Sequence, residues 1–412
     1  VSEIELDRWQ EIYAQRVNSI RPSAVRMLFA AASRPDIISF AGGMPHPLSF
    51  PLPEINEVVN DVIGRDGRSA FQYGPSEGYW ELREFIAEWV AQDGIKTHPE
   101  DILITDGAQQ GLDLLGKMFV DPGDPLIVEA PSYVGALNAF LSYQADVIGV
   151  PVDDDGLKVE LLPQVLSELR AKGRKPKFLY TIPNFQNPAG VTLSLQRRKK
   201  LIEIVQDQDI LLVEDDAYGH LCFEGKRLPT LKSMHEETVH VSTFSKVFSP
   251  GIRVGWLTAP HAIIEKLCPG KEAVNLCPSP FTQRLLMAYL KAHDIGQHVK
   301  KIITLYRERR DAMLSALEEF FPEEARWTRP RGGLFIWATL PSYIDTSELL
   351  AESISEAKVA FVPGQAFFAG GAGAESMRLN FSYPDKEAIH EGIKRLSKVI
   401  KKQMELYRAL QI

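Results

Sequence analysis

The sequence predicts an α/β protein: a large domain with a mostly parallel, seven-stranded sheet between helices, then a smaller α+β domain. Three observations carry this. Seven short apolar runs recur along the chain, longer helical patterns separate them, and the pattern changes after about residue 300. The runs are ILIT (102–105), LIVEA (126–130), VIGV (147–150), FLYTI (178–182), ILLVE (210–214), VHVST (239–243) and VGWLT (254–258). They lack strict polar alternation, as strands covered on both faces do. GLDLLGKMFV and LQRRKKLIEIVQDQ carry a helical period between them.

The large domain is expected over residues 55–300 and the small one over 301–412. The small domain opens on the long charged helix pattern HVKKIITLYRERRDAMLSALEEFF. It continues through GGLFIWATL and the short turn GGAGAES (370–376), and closes on EAIHEGIKRLSKVIKKQMELY. Residues 1–54 hold an amphipathic helix pattern and then FAGGMPHPLSFP, too little for a domain of their own. They are expected to pack on the small domain and on a partner.

With 412 residues, 45% hydrophobic and 24% charged, the chain has the make-up of a globular protein with large cores. A formal charge of -8 and the lack of any long basic run argue against nucleic-acid and anionic-membrane partners. No stretch of about 18 apolar residues is present, and VSEIELDRWQEIYAQR lacks the core of a signal peptide. Three cysteines (Cys222, Cys268, Cys277) form no CxxC pair, which suits a reducing cytoplasm. The nine histidines show no HExxH, so no metal site is expected.

Open parallel sheets bind ligands just beyond the carboxyl ends of their strands. After ILIT, DGAQQGLDLLGKM is a small-residue turn opening a helix, which offers the N–H groups of Ala108 and Gln109 to an anion. By itself that turn equally serves close packing. After FLYTI comes PNFQNPAG with Asn187, a loop punctuated by Pro and Gly. After ILLVE come Asp215, Asp216 and Tyr218; either acid suits an N-cap, but Asp215 follows the apolar run directly and is better placed to face a buried cation. After VHVST come Ser245, Lys246 and Arg253. Thr243, Ser245 and Arg253 together supply hydroxyl and guanidinium donors for a phosphate. Lys246, beside that anion site and partly desolvated, would have a lowered amine pKa and the reactivity to form a Schiff base. No Walker motif or GxGxxG is present. A phosphate cup, an acid for a pyridinium nitrogen and a Schiff-base lysine are together the requirements of pyridoxal phosphate.

At these residues the sequence resembles the fold-type I pyridoxal-phosphate enzymes, specifically the class I/II aminotransferases. It is most similar to the 2-aminoadipate/kynurenine and archaeal aromatic branch. IISFAGGMPHPLSFP, FQYGPSEGYWELR, PNFQNPAG, EDDAYG, STFSKVFSPGIRVGW and MRLNFS follow in family-like order from about Arg21 to Tyr383. The resemblance implies that Lys246 binds the cofactor covalently and carries the Cα proton, and that Asp215 pairs with the pyridine nitrogen. It implies that Tyr218 and Asn187 bond the phenolic oxygen and that Tyr133 stacks on the ring. Ala108 and Gln109 would meet the phosphate with Thr243, Ser245 and Arg253. Many relatives carry a hydroxyl residue where Ala108 stands, so here only its N–H contributes. Tyr73 matches a tyrosine that reaches the phosphate across a homodimer interface, and Arg378 matches the clamp for the substrate's α-carboxylate. Gly42 and Gly43 match backbone that lies against substrate. Arg26, in the helix pattern PSAVRMLF, stands near the mouth of the site in that branch, suited to a distal carboxylate; a solvated helical arginine is the other reading. Phe40, Leu48 and Tyr73 would supply apolar surroundings for the substrate.

The implied reaction is two-half, ping-pong amino transfer between an L-amino acid (2-aminoadipate, glutamate, aromatic or aliphatic) and a 2-oxo acid such as 2-oxoglutarate. A β-lyase or racemase would use the same Lys246, Asp215 and Arg378. A ligand-sensing regulatory module of this fold needs an N-terminal DNA-binding domain, for which the motif-bearing region, starting near residue 21, leaves no room.

Overall fold

The computed structural model describes residues 8–20 and 34–410. In chain order the strands are β1 (Ile38–Ser39), β2 (Ile102–Thr105), β3 (Pro125–Ala130), β4 (Asp146–Asp153), β5 (Gly156–Leu157), β6 (Phe178–Thr181), β7 (Leu211–Asp215), β8 (Val239–Thr243), β9 (Gly255–Thr258), β10 (Arg326–Trp327), β11 (Phe335–Thr339), β12 (Val359–Ala360), β13 (Val362–Pro363) and β14 (Ser376–Asn380). All seven apolar runs are strands of one sheet, ordered β2-β9-β8-β7-β6-β3-β4-β5. The eighth strand, β5, is a two-residue return from β4, too short to leave a pattern in the sequence. From β3 to β8 the pairings are parallel, while β9 runs against both neighbours.

Successive residues of the central strands β3, β6 and β7 serve two cores, which explains their unbroken apolar runs. On β6, Phe178 and Tyr180 point into one core and Leu179 into the other; on β7, Val213 and Leu212 divide the same way. The helices Ala108–Phe119, Val134–Ser142, Leu195–Asp207 and His261–Asn275 connect or flank these strands. Ser194 begins one of them, its hydroxyl accepting from Arg197 N.

A second sheet, β10-β11-β14-β13, is wholly antiparallel and packs with the long helices Ile295–Phe320 and Lys386–Leu410. β1 pairs in parallel with β12, so the chain before the large sheet joins the C-terminal region. Residues 10–19, inside the expected N-terminal amphipathic pattern, form two exposed 3-10 turns, Gln10–Ile12 and Gln15–Ser19. The pattern PSAVRMLF lies outside the described residues. Among the described residues no helix is long and apolar enough to cross a membrane, and no His/Cys/Asp/Glu group could hold a metal ion.

Candidate active site

The parallel strands deliver their carboxyl ends to one edge of the large sheet. The turns there surround a cavity of about 460 Å³, closed on its far side by Gly43, Phe335 and Arg378. Lining it are Ala108, Gln109, Tyr133, Asn187, Asp215, Tyr218, Thr243, Ser245 and Lys246, with Arg253. The strand register accounts for part of this. Val241 stands opposite Asp215. Thr243, two residues on, therefore shares the face of Asp215.

One end of the cavity is built for an anion. Gly107 (φ 78°) turns the chain into the helix Ala108–Phe119, whose first amides, those of Ala108 and Gln109, have no residue four back within the helix to bond. The Arg253 guanidinium lies across that turn, donating to the Asp106 carbonyl at 2.7 Å; a Cβ at Gly107 would sit 2.3 Å from its Nη2. Thr243 Oγ1 donates to the Val254 carbonyl and lies 2.9 Å from Ser245 Oγ. The Gln109 side chain is committed elsewhere: it donates to the Gly135 carbonyl and accepts from Tyr133 Oη at 3.1 Å. Only its backbone is free for an anion, and its amide group instead orients Tyr133.

At the other end two neighbouring acids have opposite surroundings. Asp216 accepts from Asn184 at 2.7 Å and faces Arg227 at 3.5 Å and His240 at 3.8 Å, which hold its carboxyl well below the usual range. Asp215 accepts from Tyr180 Oη at 2.7 Å through Oδ2, while Oδ1 is buried with no protein partner. Burial pushes Asp215 up to about 6. A cationic ring nitrogen supplied to Oδ1 would satisfy it, so the residues fit pyridoxal phosphate at both ends: a donor cup for the phosphate and a buried acid with one oxygen unpartnered for the ring.

Between the two ends stands Lys246, half-buried, its Nζ donating to the Gly43 carbonyl at 2.8 Å. Burial first, then the nearby cations Arg378 and Arg253, lower its amine to about 8. Asn187 donates to Tyr218 Oη at 3.4 Å and accepts from Arg378 Nη1 at 3.0 Å. Burial raises the Tyr218 hydroxyl far above its ordinary value, so it stays a neutral donor. Arg378 also donates to the Ala41 carbonyl at 2.9 Å, and its guanidinium lies between the rings of Phe335 (4.2 Å) and Phe367 (5.0 Å). That packing fixes a plane suited to bidentate carboxylate binding.

Two of the site residues singled out from sequence do not line the cavity. Tyr73 is 77% exposed and does not line the cavity of its own chain. Gly42 does not line the cavity, although its neighbour Gly43 does. Arg26 lies outside the described residues. The expected apolar surroundings are also corrected: Phe40 is sealed in the core and Leu48 is 80% exposed, because the segment between them turns outward at Pro47–Ser49. Met44, Val134 and Phe335 line the cavity instead. Sequence reasoning missed those three, Tyr180, Phe367 and Glu129. Glu129 accepts from Ile182 N at 3.2 Å and Gln186 Nε2 at 3.0 Å, and so anchors the loop carrying Asn187. Its one signal was an acid inside an apolar strand.

This fold and site together define a fold-type I pyridoxal-phosphate enzyme. A model described as aminotransferase class I and II matches residues 35–396. Aromatic-amino-acid aminotransferase 1 of Thermococcus litoralis is 42% identical over 96% of this chain and 96% of that protein. The 2-aminoadipate transaminase of Thermus thermophilus is 39% identical over 95% and 97%. The crystal structure of Pyrococcus horikoshii kynurenine aminotransferase in complex with PMP superposes with a TM-score of 0.92 at 42% identity, covering 97% of this chain and 99% of that one. The chain belongs to the class I and II aminotransferases. It is a pyridoxal-phosphate-dependent enzyme that transfers amino groups between amino acids and 2-oxo acids.

Proposed function

We propose that this aminotransferase has broad specificity, taking 2-aminoadipate, glutamate, aromatic and aliphatic L-amino acids, with 2-oxoglutarate as a usual acceptor, by a ping-pong mechanism. The carrying observation is the contrast within one cavity: Arg378, a fixed anchor for the carboxylate common to all amino acids, faces the apolar Met44, Val134 and Phe335. The names of the aromatic, 2-aminoadipate and kynurenine relatives support the aromatic and 2-aminoadipate parts of that range. In this reading Arg26 takes the distal carboxylate of the acidic substrates.

Each residue then has a task. Lys246 holds the cofactor through Nζ and, once substrate releases it, moves the proton from Cα. Bound here, pyridoxal phosphate supplies an electron sink for the charge that develops on Cα. Asp215 holds the proton of the ring nitrogen, Tyr218 and Asn187 bond the phenolic oxygen, and Tyr133 packs on the ring. The Ala108 and Gln109 amides, Thr243, Ser245 and Arg253 take the phosphate. Gly43 gives the substrate a stretch of wall free of side chains, with Gly42 next to it in the chain. The protein acts as a homodimer, Tyr73 reaching the partner's phosphate, in a reducing, cytoplasmic setting. Residues 55–300 form the cofactor domain and 301–412 the small domain, with 1–54 packed on the small domain and the partner.

The test is the half-reaction. Purified yellow enzyme is mixed singly with a panel of amino acids, and conversion of the cofactor band is followed. Glutamate, 2-aminoadipate, aromatic and aliphatic substrates should all convert it; a response to one side-chain class alone would overturn broad specificity. Lys246→Ala should lose the absorbance of lysine-bound cofactor and fall in turnover by several orders of magnitude. Undiminished turnover would sink its assignment.

A further inference from the structure

Tyr180 has no task in the reaction so far. It lies on β6, paired with Val213 of β7. Asp215, two residues beyond Val213, therefore shares its face at the diagonal position, within reach of a long side chain. The phenol is fully buried and its Oη donates to Asp215 Oδ2 at 2.7 Å. The two oxygens of Asp215 thus differ: Oδ2 is held by the strand next door, and Oδ1 is buried without a protein hydrogen-bond partner, on a residue that lines the cavity. Among the described residues Asp215 has no ion pair, whereas Asp216 has Arg227.

We propose that Tyr180 is a positioning residue that decides where the proton lies between Asp215 and the cofactor's ring nitrogen. By donating to Oδ2 it stabilises the carboxylate as an anion, turns Oδ1 towards the ring, and leaves the proton on nitrogen. This rests on the reading that Asp215 faces that nitrogen. Two further observations agree. Burial and the Asp215 charge raise the Tyr180 hydroxyl well above its ordinary value, so in the working pH range it only donates. Its hydrogen bond also opposes the burial that lifts Asp215. The ring packs edge-on to Phe140 with centroids 5.5 Å apart, so removing the hydroxyl leaves that packing in place.

The experiment reads the proton directly. Holoenzyme carrying cofactor labelled with nitrogen-15 in the ring is compared as wild type, Tyr180→Phe, and protein with 3,5-difluorotyrosine placed at position 180. In Tyr180→Phe the carboxylate becomes more basic, so the ring resonance should move towards that of neutral pyridine. The fluorinated phenol, a stronger donor, should move it the other way. The kcat of Tyr180→Phe should fall about tenfold, the scale of one hydrogen bond to a charged group, with KM little changed. An identical resonance in all three proteins, with cofactor bound, would overturn the inference, since a purely structural tyrosine predicts no graded response. Asp215→Asn separates the two layers. If it shifts the resonance while the Tyr180 variants do not, the role of Tyr180 fails alone; if it shifts nothing, the Asp215 reading fails with it.

Discussion

Asp215 and Asp216 show how a single residue step decides chemistry. Their side chains leave β7 on opposite sides; one meets Arg227 and His240, and the other meets a phenol and a cavity. The same local logic governs Lys246, whose amine is lowered to about 8 by burial and by two cations. Below that value the amine is protonated and unreactive, and above it the neutral nucleophile is populated. The rate at which apoenzyme takes up pyridoxal phosphate covalently should therefore rise with pH and level off above about 8. Arg378→Leu removes the larger of the two charge contributions, so the midpoint should move to higher pH. Arg378→Lys keeps the charge and should leave it near the wild-type value. The measurement is the growth of the cofactor band across a pH series, and equal midpoints in the two variants would refute the electrostatic cause.

At the scale of elements, the phosphate cup depends on a strand that touches no ligand. Gly255 opens β9 opposite both Thr105 of β2 and Thr243 of β8, directly beneath the turn into the helix Ala108–Phe119. A Cβ there would lie 2.6 Å from the Gly107 carbonyl carbon and 2.7 Å from Ala108 N, both backbone atoms with little room to yield. Gly255→Ala should displace the cup, weakening cofactor binding by roughly ten- to a hundredfold for a few kcal/mol of overlap, with the helical circular dichroism retained. Equilibrium dialysis of the cofactor checks it; unchanged affinity would show that the turn can move. The case also shows where sequence reading stops. Lys246 and Asp215 were legible because each follows an apolar run in a way that burial alone disfavours, whereas Asn187 on a Pro/Gly loop and Arg378 in a late strand gained their roles only from the family resemblance. Gly255, Tyr180 and the Phe335–Phe367 pair were not legible, because their contacts come from strands adjacent in space but distant in sequence. The order β2-β9-β8-β7-β6-β3 has no local signature. Gln109 was legible as an anion-turn residue, yet its side chain is spent on Tyr133 and Gly135, a bond set by the neighbouring helix.

At the scale of the whole molecule, one part of the exposed apolar surface is linked by hydrogen bonds to the anion turn. Phe71 is 70% exposed, Tyr73 77% and Leu276 56%. The turns carrying them are tied together: Ser76 Oγ donates to the Leu276 carbonyl at 2.7 Å, and Lys271 Nζ donates to the Ser76 carbonyl at 3.0 Å. Lys271 reaches Asn275 at 3.2 Å, and Asn275 in turn donates to Asp106 beside the phosphate cup at 2.7 Å. A cluster of large apolar side chains on a braced rim is costly to leave in water and suits a partner surface. In the proposed homodimer this surface would be covered and Tyr73 would reach the partner's phosphate, which would make cofactor affinity and assembly interdependent. Tyr73→Phe keeps the ring that packs but loses the hydroxyl. It should raise the cofactor dissociation constant about tenfold, the scale of one charge-assisted hydrogen bond, while the mass by light scattering stays that of a dimer. Dilution of the wild type should lower mass and bound cofactor together. A monomer that retains full cofactor affinity would remove Tyr73 from the site and the partner from the mechanism.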